Sequence, residues 1–273
     1  MIINPYAFVG GPPPALTFDP SILTGLTYAF HAAGSAMYKG TSTSAGAAVS
    51  NGDNVVRIDS DASKPWTFSD GVPSYPVLDS AAFGSGLPGV QSVAAGRTPI
   101  LYPKPVGAAD PSGSNAISNI IANNAAIILW AGVVAAAPSA AGSVYNNPAA
   151  FNDSGLYFGL HYFDAGSGNV RFNLYNYDGT ADTATVDAPI GTPVVIACRH
   201  DGNNLRVAKN GVAWGTAVPS GNTQDITGVA QLHFGKTGSS ITTAAMVVCN
   251  AANSDADLLT VIEEMGALVG LSL

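Results

Sequence analysis

Few side chains in this sequence could do chemistry, and their spacing decides which reactions stay open. Glutamate occurs only at Glu263 and Glu264. Glycoside hydrolysis needs two carboxyl groups facing one bond, about 5–5.5 Å apart in retaining enzymes. Adjacent residues on a helix diverge by about 100°, so these two cannot face one substrate together. Among the aspartates, Asp59 and Asp61 come closest to a same-face pair, yet they fall at a strand end beside Ser60 and Ser63. No G-x-S-x-G turn presents a serine nucleophile, and Gly84-Ser85-Gly86 and Gly166-Ser167-Gly168 have ordinary loop composition. His31, His161, His200 and His233 are scattered singly, whereas zinc sites bring closely spaced ligand pairs. The expectation is a chain with no catalytic residue and no obligatory cofactor.

Two binding chemistries remain. Calcium takes oxygen ligands from carboxylates, amides and carbonyls, and Asn152-Asp153 before one strand with Asp164 after it is the nearest match. A saccharide would use aromatic rings as platforms beside amides and charged groups. Arg171, Asn173, Tyr175 and Tyr177 alternate onto the outward face of one strand. Trp214 is a rim aromatic, and Tyr145, Asn146, Asn147 and Tyr162 are further face or rim candidates. The competing reading of the outward set is a tyrosine ladder that pairs across strands. Trp66 and Trp130 are assigned to the core.

The elements that must position these residues read as strands. AAIILWAGVVAAA (125–137) is a continuous apolar run, as in a strand buried on both faces. GLYFGLHYF (155–163) and NVRFNLYNY (169–177) flank DAGSG, a five-residue hairpin loop. In the second, Val170, Phe172 and Leu174 alternate with Arg171, Asn173 and Tyr175, the period-2 pattern of a half-buried strand. TPVVIACRH (192–200) and NLRVAKN (204–210) flank Asp201-Gly202, a strong hairpin signal, and Asn210-Gly211 turns again. AQLHFG (230–235) and AAMVVCN (244–250) complete a meander. From Tyr28 to about Tyr102 the chain reads as loop-rich, with short strands at NVVRID (54–59) and KPWTF (64–68). One helix closes the chain. Ser254 with Asp257 three residues on starts it, and Leu258, Leu259, Ile262, Met265 and Val269 recur at helical spacing. The spacing of the strands predicts an all-β sandwich.

Composition narrows the partners. Hydrophobic residues make up 47% of the 273, enough for a sizeable core. Charged residues are only 10%, against roughly 25% in ordinary soluble domains. The net charge is −8 and no run of Lys or Arg exists, which argues against nucleic acid and anionic membrane surfaces as partners. No stretch approaches the roughly 20 apolar residues of a membrane span. Cys198 and Cys249 stand in apolar segments, as two buried thiols or as a disulfide. The N-terminus has no basic region and no uninterrupted apolar run, so it does not read as a signal peptide. Residues 1–27 read as an extended arm, with Gly10-Gly11 as a joint and Pro12-Pro13-Pro14 as a polyproline rod. The apolar tip of that arm, Ile2, Ile3, Tyr6 and Phe8, is either an edge strand of its own domain or an anchor on a neighbour. Residues 28–273 form the sandwich domain.

PVVIACRHDGNNLRVAKNGVAWG (193–215) is similar to the hairpin of concanavalin A-like and laminin-G-like domains. QLHFGKTGSS (231–240) resembles that group's next strand, and AAMVVCNAANSDADLLTVIEEMGALVG (244–270) resembles the closing strand and helix of such domains in bacteriophage virion proteins. YPVLDSAAFGSGLPGVQSV (75–93) resembles an upstream strand pair, and the opening MIINPYAF with its Pro-rich spacer resembles starts seen in phage structural proteins. The resemblance implies a concanavalin A-like jelly-roll sandwich of two antiparallel sheets, with an N-terminal arm and a short C-terminal helix. It further implies a non-enzymatic virion structural protein, in capsid decoration or a tail or fibre. The expected partners are other virion proteins, copies of the chain itself as a homo-oligomer (a trimer), and host surface glycans. A free-standing carbohydrate-binding lectin is the alternative, and a glycoside hydrolase a remote one.

Overall fold

The computed structural model describes residues 18–41, 44–60, 64–68, 75–92, 100–102, 125–136, 146–153, 156–177, 181–221, 231–233 and 241–273. The arm residues Ile2, Ile3, Tyr6 and Phe8 lie outside them. In chain order the strands of the first half are β1 (Tyr28–His31), β2 (Met37–Thr41), β3 (Ser44–Ala48), β4 (Arg57–Ser60), β5 (Lys64–Phe68), β6 (Val77–Asp79), β7 (Gly89–Ser92) and β8 (Ile100–Tyr102). The second half adds β9 (Ala126–Val134), β10 (Asn146–Asp153), β11 (Leu156–Gly166), β12 (Asn169–Tyr177), β13 (Ala181–Pro189), β14 (Val194–His200), β15 (Asn204–Lys209), β16 (Val218–Pro219), β17 (Gln231–His233) and β18 (Ile241–Asn250). A helix, α1 (Asp255–Leu268), follows.

Two antiparallel sheets form a sandwich. The smaller runs β16-β15-β14-β9-β18-β7-β6, with β1 also on β18, and the larger runs β13-β12-β11-β10-β17-β8-β5-β4-β2-β3. The apolar run of β9 has a simple cause. Ile128 and Trp130 face the core between the sheets, while Ile127, Leu129 and Ala131 face a second core under α1. The neighbours of β9 do the same, with Ile196 and Cys198 inward against Val195 and Ala197 outward, and Met246 and Val248 against Val247 and Cys249. Strands buried on both faces need no polar alternation.

The larger sheet meets the core with Phe158, Leu160 and Tyr162 from β11, and Val170, Phe172 and Leu174 from β12. Trp130 is fully buried, as expected, and packs 5.5 Å from Phe172 between ring centroids. Tyr162, counted in the sequence as a face or rim residue, is instead fully buried in this core.

Several local expectations change. The stretch read as loop-rich supplies β1–β8 to both sheets; most of these strands escape a sequence reading because three to five residues are too few to show an alternation. β10 and β13 are strands that the sequence reading passed over. The β11–β12 loop is shorter than five residues. β11 runs on to Gly166 through a register shift after Asp164, and Ser167 (φ 53) with Gly168 (φ 77) makes the turn. Two successive positive φ values are what a two-residue hairpin of right-twisted strands requires.

α1 starts at Ser254, whose Oγ accepts from the Asp257 N–H at 3.2 Å. Leu258, Ile262 and Met265 are fully buried and Val269 nearly so, but Leu259 is exposed and Val261 takes its place. One residue from Leu258 is about 100° around the axis, which turns Leu259 away from the sheet. Cys198 and Cys249 are free thiols. They sit on the two strands flanking β9 and face opposite cores, which precludes a disulfide.

Candidate functional site

The face of the larger sheet turned away from the core carries a polar and aromatic set from β11, β12 and β13. Strand register lays it out in rows. Phe163, Arg171 and Asp187 form one row across β11, β12 and β13. His161, Asn173 and Thr185 form the next, and Gly159, Tyr175 and Thr183 the third. Tyr177 lies opposite Ala181 at the end of β12. Since cross-strand partners share a face, the outward set expected from the alternation of β12 is placed together as predicted.

Exposure divides this face. Phe163 is 38% exposed, and the Arg171 and Asp187 side chains are 41% and 42% exposed. Deeper along the strands Asn173 and Tyr175 keep only 6% and 7%, and His161 only 1%. Asn173 and Tyr175 are therefore not the open platform the sequence suggested. Tyr177 is half-buried and stacks on Tyr175 along the strand, with ring centroids 5.9 Å apart and planes 13° apart. Tyr175 in turn packs against the His161 ring at 4.8 Å. The two tyrosines thus stack along β12, while across the strands Tyr177 lies opposite Tyr157 of β11 and Tyr175 packs on His161.

Arg171 grips Asp187 with both arms of its fork: Nε donates to Oδ1 at 2.7 Å and Nη2 to Oδ2 at 2.8 Å. Those bonds hold the Asp187 carboxyl below its usual range and raise the Arg171 guanidinium further, against some desolvation. Lys209 Nζ donates to the Asp187 carbonyl oxygen at 2.9 Å. Chemically, the open row offers an exposed ring beside a planar, mutually neutralised charge pair. Such a surface can take the apolar face of a ring and pair its hydroxyls.

Phe163, Asp187, Thr183, Thr185 and His161 were missed in the sequence. The signal was there. Phe163 is an apolar residue out of phase with Phe158, Leu160 and Tyr162, and Thr183, Thr185 and Asp187 alternate with Ala184, Val186 and Ala188.

The other expected sites come apart. Trp214 lies against the core under α1, on the far side of the smaller sheet. Its Nε1 donates to Asp255 Oδ1 at 3.1 Å, and the Arg199 guanidinium sits 4.9 Å over its ring. Arg199 also donates to Asp255 Oδ1 and to the Asn253 carbonyl oxygen. Trp214 thus clips α1 to the sheet and does not belong to the β12 face. The calcium set is separated by topology. Asp153 ends β10 opposite Leu156, whereas Asp164 lies eight residues further along β11, about 26 Å away at ordinary strand rise. Asp164 Oδ1 accepts from the Gly166 N–H at 2.8 Å, which shapes the hairpin. Among the described residues no group of three or more His, Cys, Asp or Glu could hold a metal ion. No helix among them is long and apolar enough to cross a membrane. Glu263 and Glu264 lie on α1, and Glu264 Oε2 accepts from the Asp19 N–H at 2.8 Å.

No protein-family model and no curated protein matches the chain. Solved structures match by fold. The chain is similar to the botulinum neurotoxin serotype D binding domain, with a TM-score of 0.51 and 8% identity over 76% of this chain and 48% of that one. It thus spans about half of that toxin structure. It is also similar to domain 4 of a GH43 extracellular arabinanase from Geobacillus stearothermophilus, solved with arabinotriose, with a TM-score of 0.51 and 12% identity over 88% of this chain and 99% of that one. A GH54 α-L-arabinofuranosidase matches with a TM-score of 0.55 and 13% identity, over 90% of this chain and 62% of that one. At these identities the likeness carries the fold, a β-sandwich.

Proposed function

We propose that the chain is a non-catalytic carbohydrate-binding β-sandwich that contacts glycans through the β11–β13 face of its larger sheet. The observation that carries this is the open row of Phe163, Arg171 and Asp187, continuous with the stacked Tyr175 and Tyr177. An arabinanase domain of similar fold, matched over 99% of its length, was solved with arabinotriose, so a sandwich of this shape suits a short oligosaccharide. The absence of catalysis rests on the carboxylates. The two glutamates sit on α1, behind the smaller sheet, and the Asp187 carboxylate is engaged by Arg171.

A glycan array followed by calorimetry tests the reading. Binding should appear in the parent and weaken by roughly tenfold or more in Phe163→Ala and Arg171→Ala. An empty array, or variants that bind as well as the parent, would sink it.

The finer reading places this module in a bacteriophage particle, held by the arm of residues 1–27 and assembled as a homo-oligomer. It is supported by the resemblance of the second half to phage virion domains and by the low charge content. The same face would serve a free-standing lectin. Mass spectrometry of purified particles separates the two, and incorporation of a chain lacking residues 1–15 would remove the arm as anchor.

A further inference from the structure

The β11–β13 face contains an enclosed polar atom that no described residue pairs. Asn173 is 6% exposed, and among the described residues its Oδ1 has no hydrogen-bond partner. A buried amide oxygen left without a donor costs stability, and in native structures such a group calls for a specific reason, whether strain, a functional role or a bound water or ion. Replacing it by an apolar side chain of similar size would remove that cost, so its presence calls for a reason beyond packing.

Its surroundings suggest the reason. Across the strands Asn173 pairs with His161 on one side and Thr185 on the other, and exposure rises along that row from His161, through Asn173, to the exposed Thr185. The amide therefore lies one strand spacing, about 4.8 Å, from open surface. Along β12 it stands between Arg171 and Tyr175, on the face of the open row. A half-turn about Cβ–Cγ exchanges its oxygen and nitrogen, so it can offer an acceptor or a donor to one incoming group.

Charge selects the ligand. Arg171, the cation next to Asn173 on this face, is committed to Asp187 by two hydrogen bonds. An acidic sugar would meet the Asp187 carboxylate and an Arg171 fork already taken by it, with the nearby Lys209 ammonium held on the Asp187 carbonyl oxygen, whereas a hydroxyl needs no countercharge.

We infer that Asn173 is the specificity-determining residue of this face, reading a hydroxyl of a neutral saccharide that enters past Thr185. This rests on the carbohydrate-binding reading above and adds to it the residue and the ligand class.

The test uses the full chain with arabinotriose, xylotriose and cellotriose as neutral probes and trigalacturonate as the acidic one. Affinity is measured by calorimetry, and the Asn173 side-chain amide is followed by 1H–15N correlation, its signal assigned by loss in Asn173→Leu. The expected result is binding of at least one neutral probe with a shift of that amide signal. Asn173→Leu should then bind at least tenfold more weakly while its Tm holds or rises, and trigalacturonate should bind at least tenfold more weakly than the best neutral probe. If Asn173→Leu does not fold, Asn173→Ser, which shortens the reach, is measured in its place. A parent that binds no probe overturns the carbohydrate-binding reading and this inference together. A parent that binds while the variant keeps its affinity, or the amide signal stays still, overturns this inference alone. Tighter binding of trigalacturonate overturns the neutral-ligand assignment.

Discussion

Thr243→Val is the sharpest probe of what holds the candidate face in place. Trp130 is fully buried between the sheets, and its Nε1–H donates to Thr243 Oγ1 at 3.0 Å. Thr243 is itself 2% exposed and sits across from Gly132 on β9. Valine keeps the shape of threonine but removes the acceptor, so the indole N–H stays buried and unpaired, which costs about 1–3 kcal/mol. At the usual unfolding entropy per residue, a chain of 273 residues loses about 2 °C of Tm per kcal/mol, so Tm should fall by about 2–6 °C. Scanning calorimetry reads this directly. The control is the same change in a Trp130→Phe background, where no N–H remains to be orphaned and the cost of Thr243→Val should nearly vanish. If Thr243→Val costs as much in that background, the indole bond is not its cause. If it costs nothing in the parent, the bond contributes nothing. The bond matters beyond stability, since Trp130 backs Phe172 on β12, between Arg171 and Asn173.

Gly132→Ala should be far more damaging, because a Cβ there would run into the Thr242 carbonyl oxygen and the Trp130 indole. Overpacking against backbone has no cheap relief, and loss of soluble expression or a Tm drop beyond that of Thr243→Val is the expected result. Acid should weaken the Arg171–Asp187 bond. Asp187 is held below its ordinary value when folded, so its contribution is present above the unfolded pKa of about 3.9 and is lost as pH falls through the lower folded value. Tm measured from pH 7 to 2 should therefore fall less steeply below about pH 4 in Asp187→Asn than in the parent. Equal slopes would remove Asp187 from the acid response. The thiols should be silent in the native protein. Burial pushes Cys249 up to about 12 and Cys198 higher still, so a thiol reagent at pH 8 should find no reactive group until denaturant exposes both. A native-state reaction would mean that one core opens.

The sequence by itself determined much of the second half. Residues 125–137, 155–163, 169–177, 192–200, 204–210 and 244–250 announce strands because apolar runs and period-2 alternation follow from how a pleated strand buries its side chains. Asp201-Gly202 and Ser254 announce a turn and a helix start because local backbone chemistry suffices for both. The outward set Arg171, Asn173, Tyr175 and Tyr177 was legible for the same reason, since alternation assigns a face. Alternation does not say what lies next to that face. Only the tertiary structure decided that Asn173 and Tyr175 are closed in while Phe163 and Asp187 stand open, because alternation gives the direction of a side chain and not the depth at which it lies. Trp214 shows this most plainly. Nothing local places it behind the smaller sheet on Asp255 and Arg199, and the separation of Asp153 from Asp164 follows from the length of β11 and its register with β10. Local chemistry chose the elements and their faces, and long-range pairing chose which faces meet and which remain open to a ligand.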